Sequence, residues 1–492
     1  MFPGIADSFS SRTRPVLRGS RGAVSAAHPL AVAAGQLMLA GGGSAADAAI
    51  ASQAVLCVLA PDACGLGGDM FALVGQGEQV IAVNGSGAAP RRLVTADQTG
   101  ANSVTVPGIA GAWGALHRRW GRLPLAQVLG PAIRLAELGH PVSSTLAEAV
   151  RVQARRLEAG GADSWALTGL AVGERFVQPQ LAALLRALAD EGADSFYCGA
   201  TAAAIASTIA RHGGALDKND LADHRTELAD PIATEFGGVS VFVQPPPTQG
   251  VLLAMSLRAL AGMIGHDPQT IEHLCVELTE AAFAFRDRVA EGRALFDVAL
   301  AADPARAARR GGPRAYLHTA GVSTADEDGL VVSSLVSVFD DFGSCVYVPE
   351  LGITLNNRAG GFTAGDNAAA PGRRPVHTLA PAMLRTEGGL LALATPGADG
   401  QVQTLLQLIR RLVTSGEDLA SAIAAPRWRS EGGELLIEAD HPGAFDLARR
   451  GHGLRRLTSG DMRFGAIACA GHDPMGPYAV ADWRRDTWAG TA

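Results

Sequence analysis

Apolar positions recur at helical spacing through most of the first half of the chain. In the second half they collect into short runs bounded by Gly, Pro, Asn and Asp. Residues 31–40 and 44–56 are rich in alanine and flank Gly41-Gly42-Gly43, which predicts a tight helical hairpin with Ser44 as N-cap and Asp47 in the first turn. The pattern predicts further helices over 108–120, 125–138, 146–157, 179–191, 200–212, 251–263, 268–288 and 401–414. It predicts strands over 70–74, 80–83, 239–243, 343–348, 353–356, 382–385, 390–394, 434–438, 455–457, 466–470 and 478–481.

One further pair of strands organises the rest. Small and β-branched residues run from Thr319 to Asp326, Asp328-Gly329 supplies a turn, and an apolar run returns over 330–338, which predicts a β-hairpin. Residues 299–316 are rich in Ala, Arg, Gly and Pro and predict an exposed, mobile loop before it. Thr319 therefore stands where a loop meets a strand. We read it as a candidate nucleophile, released as a new N-terminus by self-cleavage between His318 and Thr319. A Thr hydroxyl needs a base beside it. A freed α-amine, with an ordinary pKa of roughly 7.7–8.0, supplies one that is already tethered to the hydroxyl. A Thr opening a strand is also ordinary β-propensity, so the position needs support from the rest of the chain.

The 492 residues are 48% hydrophobic and 18% charged, enough apolar material for an extensive core. A net charge of −7 without a long Lys/Arg run argues against nucleic acid or an anionic membrane as partner. Six cysteines with no CxxC form neither a disulfide scaffold nor a zinc pattern. The histidines show no HExxH, and no phosphate loop appears, so neither a metal nor a cofactor is expected. The first twenty residues lack an apolar core of signal length and no long apolar run follows, which makes a cytoplasmic location the expectation.

Several short motifs then fall in a familiar order: His28-Pro29-Leu30, Gly65-Leu66-Gly67-Gly68, Val106-Pro107-Gly108, Phe196-Tyr197-Cys198-Gly199, Pro245-Pro246-Pro247, the Thr319 hairpin, Leu355-Asn356-Asn357, Arg374-Pro375 and Ala425-Pro426-Arg427. Each is weak alone, but together the chain resembles the γ-glutamyltransferase (glutathione hydrolase) family of N-terminal-nucleophile hydrolases. The resemblance implies an α+β fold, a four-layer αββα sandwich. It implies a large segment, 1–318, and a small segment, 319–492, that stay intertwined after the cut. Thr319 falls at the family's nucleophile and Ser337 at a second hydroxyl that hydrogen-bonds it. Gly397 and Ala398 match the pair whose backbone amides form the oxyanion hole.

The departures concern the substrate. Where the family holds glutamate with an Arg, an Asp, a Ser-Ser pair and an Asn, this chain has Ser86, Gly361, His377-Thr378 and Phe339. Loss of a bidentate Arg–carboxylate contact asks for another charge, and Arg358 and His377 are the candidates. These changes resemble a divergent branch that includes an oxamate amidohydrolase. The resemblance thus implies a γ-glutamyltransferase-like amidohydrolase or acyltransferase that cleaves γ-glutamyl or other small acidic amides through an acyl-enzyme, released by water or an amine. Two alternatives stay open: an oxamate-type amidohydrolase without γ-glutamyl specificity, and an uncleaved, non-catalytic relative. A homo-oligomer is left open.

Overall fold

The computed structural model describes residues 11–308, 310, 312 and 319–492. His318 lies outside them, as does the end of the loop expected before the hairpin.

Among the described residues, fourteen strands form two seven-stranded sheets. In chain order they are β1 (Leu17–Arg18), β2 (Gly22–Ala26), β3 (Asp69–Gln76), β4 (Gln79–Gly85), β5 (Glu227–Ala229), β6 (Ile232–Phe236), β7 (Val239–Val243), β8 (Ala320–Asp326), β9 (Val331–Ser337), β10 (Ala382–Thr386), β11 (Gly389–Ala394), β12 (Ala468–Asp473), β13 (Gly476–Ala481) and β14 (Trp488–Thr491). One sheet has the order β14-β2-β8-β9-β3-β4-β5, the other β1-β13-β12-β11-β10-β7-β6. The predicted Thr319 hairpin is thus the centre of the first sheet. Asp326 closes its turn by accepting the Asp328 and Leu330 amides, and Gly329 takes the positive φ of 80° that the turn requires.

The helices that pack on these sheets include α1 (Pro29–Ala40), α2 (Ala45–Leu59), α3 (Ile109–Trp120), α4 (Gly250–Ala261), α5 (Pro268–Phe283) and α6 (Gly400–Thr414). The alanine-rich α1 and α2 form the predicted hairpin, and Ser44 and Asp47 make a reciprocal capping box at the start of α2. Val322, Val332 and Val336 of the first sheet bury against α1, α2 and α3. Val243, Leu384 and Leu393 of the second bury against α4, α5 and α6. Between the sheets lies a separate apolar layer, Ala23, Leu73, Ala325 and Val331 against Phe242, Met383, Ala392 and Ala470. Each sheet therefore buries one face on helices and the other on its partner sheet, which is why its strands read as near-continuous apolar runs.

Two sequence expectations are corrected, and one strand was missed. The strand expected over 343–348 is mostly turn, with positive φ at Phe342, Gly343 and Cys345, and only Tyr347–Val348 is strand. Its apolar residues are buried by tertiary contact, Phe342 edge-on to Trp165, rather than by pairing. The helix expected over 268–288 ends at Phe283, and tight turns follow, kinked at Gly292. β2 was not expected: Gly22-Ala23-Val24-Ser25-Ala26 has a single β-branched residue, yet it is wholly buried between β8 and β14.

Candidate active site

The strand register assembles the site. Ala320 pairs with Val336, Ser337 with Asp69, and Met70 with Gly85. Continued by one residue, the same register sets Thr319 opposite Ser337 and Ser86 opposite Asp69. Four polar residues thus form one cross-strand row at the end of the first sheet. Side chains alternate along a strand, so the row shares the face of Ser323 and Ser333. Those two hydroxyls donate to Ala468 O (2.9 Å) and Leu393 O (2.8 Å) of the second sheet. The row therefore faces the gap between the sheets, at its open end. Thr319 and Ser337 are buried, and Ser337 Oγ accepts the Phe339 amide at 2.9 Å.

Opposite the row, the second sheet contributes the turn after β11. Gly321 approaches Ala394 closely: a Cβ there would lie 3.2 Å from the Ala394 oxygen. Three residues on, Gly397 has φ 123° and Ala398 φ 50°. An L-residue in the left-handed region costs about 1–2 kcal/mol, and such strain persists where its surroundings enforce it. Among the described residues neither the Gly397 nor the Ala398 amide donates a hydrogen bond. Their carbonyls are held, Gly397 O by Arg429 Nη1 (3.1 Å) and Ala398 O by Gln249 Nε2 (2.9 Å). The turn thus fixes two N–H groups at the start of α6, an arrangement suited to developing negative charge.

Beside this lies a buried charge cluster. Arg358 is fully buried, with Nε 3.3 Å from Asp69 Oδ2 and its guanidinium carbon 4.3 Å above the Phe339 ring. Its two terminal nitrogens have no hydrogen-bond partner among the described residues, and neither does Asp69 Oδ1. Burial pushes Arg358 down to about 10 against the pull of Asp69, so it stays cationic at neutral pH. His377 is fully buried too, with Nε2 3.2 Å from the same Asp69 oxygen and Nδ1 accepting the Leu379 amide at 3.2 Å. Burial, then the charge of Arg358, holds its pKa down to about 3. His377 is therefore a neutral Nε2–H donor that orients Asp69, and of the two cations expected to replace the missing fork only Arg358 is one. Thr378 O accepts Gln249 Nε2 at 2.8 Å, so one amide ties the His377-Thr378 segment to the Gly397-Ala398 turn.

Ser86 is buried at the far end of the row and satisfied locally, its N–H and Oγ–H both reaching Asn84 Oδ1. The glycines around it serve packing: a Cβ on Gly87 would lie 1.8 Å from Val106 O. Gly361 packs against Pro375 and Val376 O.

A cavity of about 420 Å³ opens on the other side of Thr319, lined by Leu56, Leu146, Pro396, Met462 and Arg485. Arg358 and His377 do not line it. The structure thus gathers all the predicted residues except His318 around one end of the sandwich, Thr319 having a cavity on one flank and the Asp69 cluster beyond Ser337 on the other.

The family profile for Gamma-glutamyltranspeptidase matches residues 31–492. The chain belongs to the gamma-glutamyltranspeptidase family. Relatives within it include the Acylase ACY 1 proenzyme of a Pseudomonas species, 34% identical over 98% of this chain and 95% of that one. The Oxamate amidohydrolase proenzyme of Klebsiella pneumoniae is 33% identical over 83% of this chain and 85% of its own. A crystal structure of cephalosporin acylase from Bacillus halodurans superposes with a TM-score of 0.87 at 31% identity, covering 100% of this chain and 99% of that one. This gamma-glutamyltranspeptidase relative is an enzyme of hydrolase type, as the resemblance implied.

Sequence reasoning missed Asp69, Gln249 and Arg286. Asp69 left a signal, an acid opening the apolar run 70–74, because a carboxylate in a buried strand must be paired. Arg286 Nε reaches Asp399 Oδ1 at 3.2 Å just after Ala398, a pairing visible only in three dimensions.

Proposed function

We propose that this chain is an autoprocessed N-terminal-threonine amide hydrolase acting on small acidic amides. Thr319 Oγ attacks the His318 carbonyl carbon, the peptide bond shifts to an ester, and water hydrolyses the ester. The products are a carboxylate on His318 and a free α-amine on Thr319. In turnover the same hydroxyl attacks the substrate carbonyl while the α-amine takes its proton. The Gly397 and Ala398 amides hold the oxyanion. The amine product leaves with the proton, and water releases the acyl group from the ester.

The helices–sheet–sheet–helices order supports the four-layer αββα sandwich of this hydrolase class. The observation that carries the functional reading is the row Thr319–Ser337–Asp69–Ser86 facing the strained Gly397-Ala398 turn across the gap between the sheets. The substrate reading rests on Arg358. Its terminal nitrogens are buried without a hydrogen-bond partner among the described residues, which suits a carboxylate on the acyl group. The acidic residue that would take a glutamate amine is Gly361 here, so a short acyl group without γ-glutamyl specificity fits better. The cavity flanking Thr319, lined by apolar residues together with Asp62, His140 and Arg485, suits the departing amine. A panel of oxamate-like amides beside γ-glutamyl anilides tests this. Turnover of the former in excess of the latter is expected, and a strict requirement for the γ-glutamyl group would contradict it.

A further inference from the structure

The segment before the cut is held to the molecule by a set of contacts that the chemistry at Thr319 does not use. Glu277, on α5, is fully buried. Its carboxylate accepts the Ala308 amide at 3.1 and 3.2 Å and Arg310 Nη1 at 2.8 Å. Among the described residues these are all the hydrogen bonds that carboxylate makes, and every one comes from the segment 301–310. One turn earlier, His273 Nε2 meets Asp303 O at 2.8 Å. Arg450 clamps the same stretch, its guanidinium on Pro304 O and its carbonyl accepting the Ala307 amide at 2.8 Å. Gly312 then backs onto Ser430, whose hydroxyl donates to Glu280 at 2.6 Å. His273, Glu277 and Glu280 share one face of α5, so the strap runs along that helix toward its C-terminal end. Just beyond lies Arg286, bound to Asp399 beside Ala398.

Burying a carboxylate is costly unless it is fully paired, and among the described residues the strap supplies every hydrogen bond to this one. We propose that Glu277, with His273 and Arg450, anchors the strap and so positions the scissile segment for self-cleavage, without a part in turnover. This rests on the reading that the chain cuts itself before Thr319. The anchor leaves nine residues (319 − 310) of chain to Thr319. Without the Glu277 contacts the nearest held residue is Ala307, on the Arg450 carbonyl, twelve residues away (319 − 307). Loop closure scales with about the three-halves power of length, so the Glu277 contacts raise the local concentration of the scissile bond about 1.5-fold before any gain in orientation.

The test follows the cut in freshly synthesised full-length chain by denaturing mass spectrometry, for wild type, Glu277→Gln, Arg310→Ala and the double variant. Arg310 is on the partly exposed strap, so its variant reports even if Glu277→Gln folds poorly. Each single variant leaves Arg450 on Ala307 and is expected to cut at least about 1.5-fold more slowly, and the double no more slowly than the slower single, because both remove one interaction. Turnover per mole of cut chain should match wild type. Cutting of Arg310→Ala at the wild-type rate would overturn the anchor, as would an equal loss of turnover in the cut variants. A wild-type chain that never cuts would instead overturn the self-cleavage reading on which the anchor depends.

Discussion

Arg358 meets Asp69 through Nε at 3.3 Å and leaves both terminal nitrogens without a hydrogen-bond partner among the described residues. The pairing fixes the guanidinium plane while keeping its fork open. Arg358→Lys keeps the charge but loses the fork. A charge-assisted hydrogen bond is worth about 1.5–3 kcal/mol, so kcat/KM for an acidic amide should fall about tenfold to a hundredfold, with self-cleavage intact. Unchanged kinetics on acidic and neutral amides would remove Arg358 from substrate binding.

Gln249 carries a different burden. Its Nε2 bridges Thr378 O and Ala398 O, the segment beside the charge cluster and the Gly397-Ala398 turn. Gln249→Leu leaves two buried carbonyls without that donor, a penalty of about 1–3 kcal/mol. Released from Gln249, Ala398 can relax from its positive φ, so kcat should drop about tenfold or more while KM changes little. A change confined to KM would show that the bridge shapes the pocket and not the turn.

His377 sets a pH dependence of stability. Its folded pKa of about 3 lies below the unfolded value of about 6.5. Between these the unfolded chain binds a proton that the folded chain does not, so stability falls as pH drops below about 6.5, by up to about 1.4 kcal/mol per pH unit from this residue. Denaturant unfolding at pH 6.5 and pH 5 should show wild type losing about 1.6 kcal/mol more than His377→Asn. Equal losses would mean that His377 is already charged in the folded protein.

The sequence pattern carried the hairpin of β8 and β9, the α1–α2 pair and the β11–α6 turn, because each is written locally in alternation, capping residues and turn glycines. Family resemblance placed Ser337, Gly397 and Ala398. It also located the altered positions Ser86, Gly361 and His377-Thr378. What neither showed is how the gaps were refilled. Asp69 gathers Arg358 and His377 from positions about 290 and 310 residues away in sequence, and such pairing has no local signature. The neutrality of His377 follows from complete burial, which composition cannot report. The strand expected over 343–348 failed for a related reason: Cys345 and Val346 are apolar because a loop is packed, not because a strand is paired.

The central claim is that Thr319 becomes an N-terminus and acts as the nucleophile. The most direct measurement is intact mass under denaturing conditions of purified wild type and Thr319→Ala, with amide turnover measured on the same samples. The account predicts two fragments from wild type, the smaller beginning at Thr319 and the sample active. It predicts a single full-length, inactive chain from Thr319→Ala. Wild type that turns over amides uncut, or Thr319→Ala that still cuts and turns over, would contradict it.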